Sequence, residues 1–169
     1  MPEQNLEGAY NLLVNCGQAC AGERLLLCYE QESLDFYDRA IVEDVCACAQ
    51  EIGLEVMPYE LDFDPVIDTV PAQLEAAIAA ADLTVFLARL ADQMRFGRFK
   101  SDQRTVLSYA LNSASLASPF GTVHYKASLA LKQVIDTAVF GASEVVVSCK
   151  AGTYFKGRIA ASPDGGDVN

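Results

Sequence analysis

The stretch "SPFGTVHYKASLALKQ", residues 118–133, holds the chain's single histidine, His124. An imidazole there can serve as an acid/base, a metal ligand, part of an anion-binding pocket, or a packed ring. Nucleophilic catalysis needs a serine or cysteine within reach of the ring and a third group to orient it. Ser128 follows one helical turn later and Ser118 precedes, but no G-x-S-x-G elbow occurs, and Cys28 and Cys149 stand in strand-like runs. The histidine has no evident catalytic partner. A binding role and a packed ring both stay open.

The six cysteines do not form a metal motif. Cys46 and Cys48 stand two apart on an expected helix and therefore point roughly 200° away from each other. Cys16 and Cys20 share a helical face, yet no second Cys/His pair follows at zinc-ligand spacing. All six are expected to be reduced and packed as small apolar residues. No cofactor is expected.

A basic segment offers other chemistry. In "RLADQMRFGRFKSDQR", Arg89, Arg95, Arg98, Lys100 and Arg104 alternate with Phe96 and Phe99, and Gly97 lets the chain bend. The expectation is that these cations reach one sheet edge beside the helix start at Ser118 and Pro119, where backbone N–H groups favour anions. Thr122, His124 and Lys126 would complete that groove. Such residues suit a peptide with acidic and apolar side chains; the plainer alternative is a solvated loop paired with the chain's own acids. In "TYFKGRI", Phe155 and Ile159 fall on one face of a strand and Tyr154, Lys156 and Arg158 on the other. That strand is either a charged, protected edge or one that accepts a peptide or its twin from a second subunit.

Charge limits the partners. The chain of 169 residues carries a net charge of −11. Residues 1–84 hold 17 acids against Arg24 and Arg39, a balance of −15, and residues 85–169 hold 10 cations against 6 acids, a balance of +4. A nucleic-acid footprint is not expected at this total. No apolar run approaches the roughly 20 residues that span a bilayer, and "MPEQNLEGAYNLL" lacks a basic leader region. The expectation is a cytoplasmic protein.

These residues must be positioned by elements, which periodicity supplies. A helix is predicted over residues 3–20 and a strand over 24–29. Ser33 is the predicted N-cap of a helix that runs to Gly53. Strands follow at 54–61, 82–88, 105–111, 144–149 and 153–160, with helices over 72–81 and from Ser118 to about Phe140. Strands alternating with helices predict a Rossmann-like, three-layer α/β sandwich, mostly parallel, with an antiparallel C-terminal hairpin at its edge. One domain over 1–160 and a disordered tail over 161–169 are expected. Ligands in such sheets gather at the carboxyl ends of the strands. G-x-G-x-x-G and P-loop motifs are absent, and acids follow the first strand, so NAD and ATP are not expected.

The succession "GERLLLCYE", "ADLTVFLARLADQMRF", "SYALNSASLASPFGTVHYKASLALKQVID" and "SEVVVSCKAGTYFKG" resembles the N-terminal domain of the thermophilic metallo-aminopeptidases, the aminopeptidase T and leucyl aminopeptidase family. Thr122, His124, Gly152, Thr153 and Gly157 carry the most recognisable pieces. Family members supply a two-metal centre from a second domain, which a chain ending at Asn169 does not include. The resemblance therefore implies the fold without aminopeptidase activity. It points to a non-catalytic peptide-binding accessory protein in the maturation of a ribosomally made peptide, resembling the small peptide-binding proteins of crocagin-type pathways. A homodimer is expected, because the surface facing the absent domain is exposed. The competing expectations are a small enzyme with His124 as acid/base and a subunit completing a split peptidase.

Overall fold

The run Leu25–Leu27 followed by Cys28 is apolar on both sides of the chain, and both sides are buried. Leu25, Leu27 and Tyr29 enter one core, while Leu26 and Cys28 enter another on the opposite face. A strand that buries both faces belongs in the middle of a covered sheet. The computed structural model, which describes residues 3–67, 69–94 and 103–158, puts β1 (Arg24–Glu30) there. The parallel order is β2–β1–β3–β4, with β2 at Glu55–Leu61, β3 at Leu83–Leu87 and β4 at Arg104–Leu107.

Helices cover both faces. α1 (Glu3–Tyr10) continues as a π-helical segment to Cys16, and it packs with α2 (Arg39–Ile52) and α5 (Ser113–Leu116). Their Leu13, Ile41, Val45 and Leu116 meet Leu25, Leu27 and Val85. On the other face, Leu74 and Ile78 of α3 (Ala72–Ala80) and Leu90 and Met94 of α4 (Arg89–Met94) meet Cys28 and Phe86. This is the three-layer α/β sandwich read from the sequence.

Several boundaries differ, each for a tertiary reason. Ser33 does not cap α2; it lies in a 3-10 turn, Glu32–Leu34, that Asp35 ends in the left-handed region at φ 48°. Asp38 is the cap, its carboxylate accepting from Ala40 N at 3.0 Å. β4 is shorter than 105–111 because Leu111 turns away to accept a hydrogen bond from Asp38 N at 2.8 Å. The helix expected from Ser118 is two helices, α6 (Pro119–Thr122) and α7 (Tyr125–Phe140), with His124 between them.

The chain forms two compact units that divide after Tyr125, where the sequence predicts one domain over 1–160. The first holds the sandwich. The second begins at Lys126 and holds the rest of α7 and an antiparallel hairpin of β5 (Val145–Ser148) and β6 (Tyr154–Gly157). These two strands pair with each other as a separate sheet and are not an edge of the parallel one. Residues 161–169 and Ile159 lie outside the described residues.

Candidate functional site

The strand order reverses between β1 and β3, so the ligand crevice of this fold class opens at their carboxyl ends. Here the crevice is filled from within. β1 ends in Glu30, and Arg89 opens α4 just beyond the adjoining β3. Arg89 donates to the Glu30 carboxylate through its backbone N at 2.5 Å, through Nε at 3.0 Å to each oxygen, and through Nη2 at 2.7 Å. The guanidinium is sandwiched between Phe36, with its ring centre 4.2 Å away, and Phe63 at 3.7 Å. The Glu30 side chain is 2% exposed, so the pair is held out of water on the acid's side. That carboxylate raises the Arg89 pKa through its hydrogen bond. An arginine fork closed in this way is not offered to a ligand.

Beside the plug lies an open pocket of about 350 Å³, lined by residues 32, 35–39, 111 and 112. Its carboxylates, Glu32, Asp35 and Asp38, face one cation, Arg39, which lies 4.7 Å over the Tyr29 ring. The Tyr29 hydroxyl and nearby acids hold the Arg39 pKa up. Burial, with the charge of Glu30, pushes the neighbouring Tyr37 phenol up to about 12. The lining of this pocket is acidic, three carboxylates around one cation.

Two of the predicted cations, Arg89 and Arg104, stand at opposite edges of the sheet. Arg104 opens β4 opposite Leu83, at the amino edge, whereas Arg89 stands at the carboxyl edge. Parallel strands separate the start of one from the end of the other by the full depth of the sheet. Arg104 donates to the carbonyls of Gly17 and Gln18 and to Glu23 at 2.6 Å. Arg95, Phe96, Arg98, Phe99 and Lys100 lie outside the described residues.

The helix start at Ser118 is also self-satisfied. Ser118 Oγ accepts from Phe120 N at 3.2 Å, and the Ser118 carbonyl accepts from Gly121 N and from Thr122 Oγ1. Thr122 is therefore part of a local cap. His124 and Lys126 are exposed, the one before α7 and the other near its start. Asn11 anchors this corner, its Nδ2 donating to the carbonyls of Gly121 at 2.8 Å and Val123 at 2.9 Å.

In the second unit, Tyr154 and Lys156 of β6 face Ser148 and Val146, and Phe155 faces Val147 on the other side of the hairpin. Tyr154, Lys156 and Arg158 are all exposed. Cys149, expected to be packed, is exposed at the end of β5, and Cys20 is exposed as well; Cys28 and Cys48 are buried. The Thr153 hydroxyl first, then the backbone N–H groups of Thr153, Ala151 and Gly152, lower the Cys149 thiol pKa. Among the described residues no group of three or more His, Cys, Asp or Glu side chains is arranged to hold a metal. No described helix is long and apolar enough to cross a membrane.

Sequence reasoning missed the partnership of Glu30 with Arg89 and the two rings that flank it. A signal was present: an acid ends one buried apolar run, "RLLLCYE", and an arginine follows another, "TVFLAR".

No protein-family model matches the chain, and no curated protein matches it in sequence. Among solved structures, it is similar to the 2,5-dihydroxypyridine dioxygenase of Pseudomonas putida KT2440, at 15% identity and a TM-score of 0.52 over 92% of this chain. The chain spans about half of that enzyme's length, 47%. VinN in complex with L-aspartate aligns at 18% identity and TM-score 0.42, over 66% of this chain and 28% of VinN. A fatty acid ABC transporter substrate-binding protein from Thermomonospora curvata aligns at 21% and 0.39, over 70% and 31%. At that identity the dioxygenase likeness is one of fold alone, and nothing of its activity is carried over.

Proposed function

We propose that the chain is a cytoplasmic, non-catalytic peptide-binding accessory protein, acting in the maturation of a ribosomally made peptide and built on an aminopeptidase-like N-terminal domain. One observation carries the peptide-binding part: the second unit leaves its apolar side chains uncovered. No residue of the sixteen in α7 is buried, and Leu131, Val134, Ile135 and Phe140 are each more than half exposed. Val146, Val147, Tyr154 and Phe155 of the hairpin are also at least half exposed. Large apolar side chains left exposed in this number are surface that a binding partner can cover. The resemblance in element order supports the biosynthetic setting.

The test is calorimetric titration of the full chain with an array of synthetic peptides, each recovered afterwards for mass analysis. Micromolar binding with the peptide mass unchanged is the expected result. A peptide cleaved or modified by the protein alone would overturn the non-catalytic reading, and an array with no binder would overturn peptide binding.

A further inference from the structure

We infer that the outer edge of β6 accepts an extended peptide strand in which acidic and apolar side chains alternate. This rests on the peptide-binding reading above and adds its mode and its chemistry. A two-stranded hairpin by itself is marginal in water; it needs a third strand or a packed apolar face. β5 and β6 have four residues each, pair only with each other among the described residues, and expose all but Val145 and Gly157. Each outer edge is thus a row of backbone donors and acceptors that another strand can satisfy.

The chemistry selects the edge and the guest. β5 contains no charged residue, whereas Lys156 lies in β6 and Arg158 just beyond it. The pleat puts Tyr154, Lys156 and Arg158 on one face and Phe155 on the other, its ring lying against Gly157, where an added Cβ would come within 2.8 Å of it. A strand laid on β6 therefore meets cations on one face and an aromatic ring on the other. Acids answer the first and apolar side chains the second. Lys156 already reaches Glu144 at 3.0 Å, but both side chains are roughly half exposed, at 54% and 42%, so an incoming carboxylate can replace that partner.

Charge also argues against a second copy in this place. Residues 126–158 hold Lys126, Lys132, Lys150, Lys156 and Arg158 against Asp136 and Glu144. Pairing β6 with its twin would bring two such basic strands together. An acidic strand gains where the twin is repelled.

The experiment titrates the full chain with a short alternating Glu/Val peptide, its Lys/Val counterpart, and two Glu/Val peptides N-methylated at alternate residues in the two possible registers. The Glu/Val peptide should bind, and the Lys/Val peptide should bind at least about tenfold more weakly. One N-methylated register should lose binding because its donors face β6; the other should keep it. The Lys156→Glu, Arg158→Glu double variant should invert the preference between the Glu and Lys peptides. Equal binding by both N-methylated peptides would overturn strand addition while leaving peptide binding intact. Equal binding of the Glu and Lys peptides would overturn the charge selection. A particle of twice 18.2 kDa by light scattering that the double variant renders monomeric would assign the edge to a second copy instead. Binding of unpatterned array peptides with none from Glu/Val would overturn this inference alone; no binding by any peptide would overturn the reading beneath it.

Discussion

Glu30 and Arg89 close the crevice between β1 and β3. Four hydrogen bonds of 2.5–3.0 Å join them, two aromatic rings enclose the guanidinium, and the carboxylate is almost wholly shielded from water. The place where sheets of this order receive ligands is therefore a piece of internal structure. Removing Arg89 leaves the Glu30 carboxylate buried without compensation, whereas removing Glu30 leaves a guanidinium that is a quarter exposed. Arg89→Met should therefore cost about 3–5 kcal/mol and Glu30→Ala less, and the double variant should recover part of the Arg89→Met loss. Denaturant unfolding of the three variants checks this; single variants within about 1 kcal/mol of wild type would show that the pair is not a structural plug.

Gly8 and Gly121 both lie against Leu116. A Cβ on Gly8 would sit 2.0 Å from the Leu116 carbonyl oxygen, and one on Gly121 would sit 1.9 Å from it. Helix propensity alone favours Ala over Gly at position 8 by about 0.5–1 kcal/mol. Overpacking opposes it with about 1–3 kcal/mol. Gly8→Ala and Gly121→Ala should therefore both destabilise, measured as a lower midpoint of thermal unfolding. A stabilised Gly8→Ala protein would contradict the close approach.

Stability should fall on acidification. The Arg104 hydrogen bond holds the Glu23 carboxyl below the usual range, and the Arg24 backbone N–H does the same for Asp82. For a depressed carboxyl pKa, the stabilisation is present above the unfolded value, near pH 4, and is lost as pH falls through the folded value. Glu23→Gln should weaken the protein at pH 7 and flatten the acid limb of the stability curve. Urea unfolding at several pH values from 7 to below the folded pKa reads both effects; an unchanged acid limb would remove Glu23 from the account.

Cys149 should be the first thiol to react. It is exposed, and the Thr153 hydroxyl and neighbouring N–H groups favour its thiolate. Burial pushes Cys48 up to about 11 and Cys28 further still. Timed alkylation with iodoacetamide followed by peptide mass mapping should find Cys149 modified before Cys28 and Cys48, and Thr153→Val should slow it. Faster labelling of Cys28 would mean that β1 opens in the native state.

Much of the architecture was legible because it rests on local pattern. The apolar run that becomes β1 needs cover on both faces whatever surrounds it. The three- and four-residue spacing of Ile41, Val45 and Cys48 makes a helix with one buried face, and Gly53 ends it in the left-handed region at φ 88°. These signals lie within a few residues of one another, so the sequence alone determined the alternating α/β order, the three layers and the doubly covered central strand.

What the tertiary structure decided depends on residues far apart in the chain. Ser33 is a good helix cap by type, but the packing of Phe36 on Arg89 and the bond from Asp38 N to Leu111 O start the helix at Arg39. Arg89 and Arg104 stand close in sequence and at opposite edges of the sheet, because β4 runs parallel to β3 and so begins at the far end. Each then takes an acid from the N-terminal half, Glu30 and Glu23, across 59 and 81 positions of sequence. Two of the cations of the second half are thus paired with acids of the first, Arg89 with Glu30 and Arg104 with Glu23. Composition records which charges a chain holds, but strand order determines which of them meet.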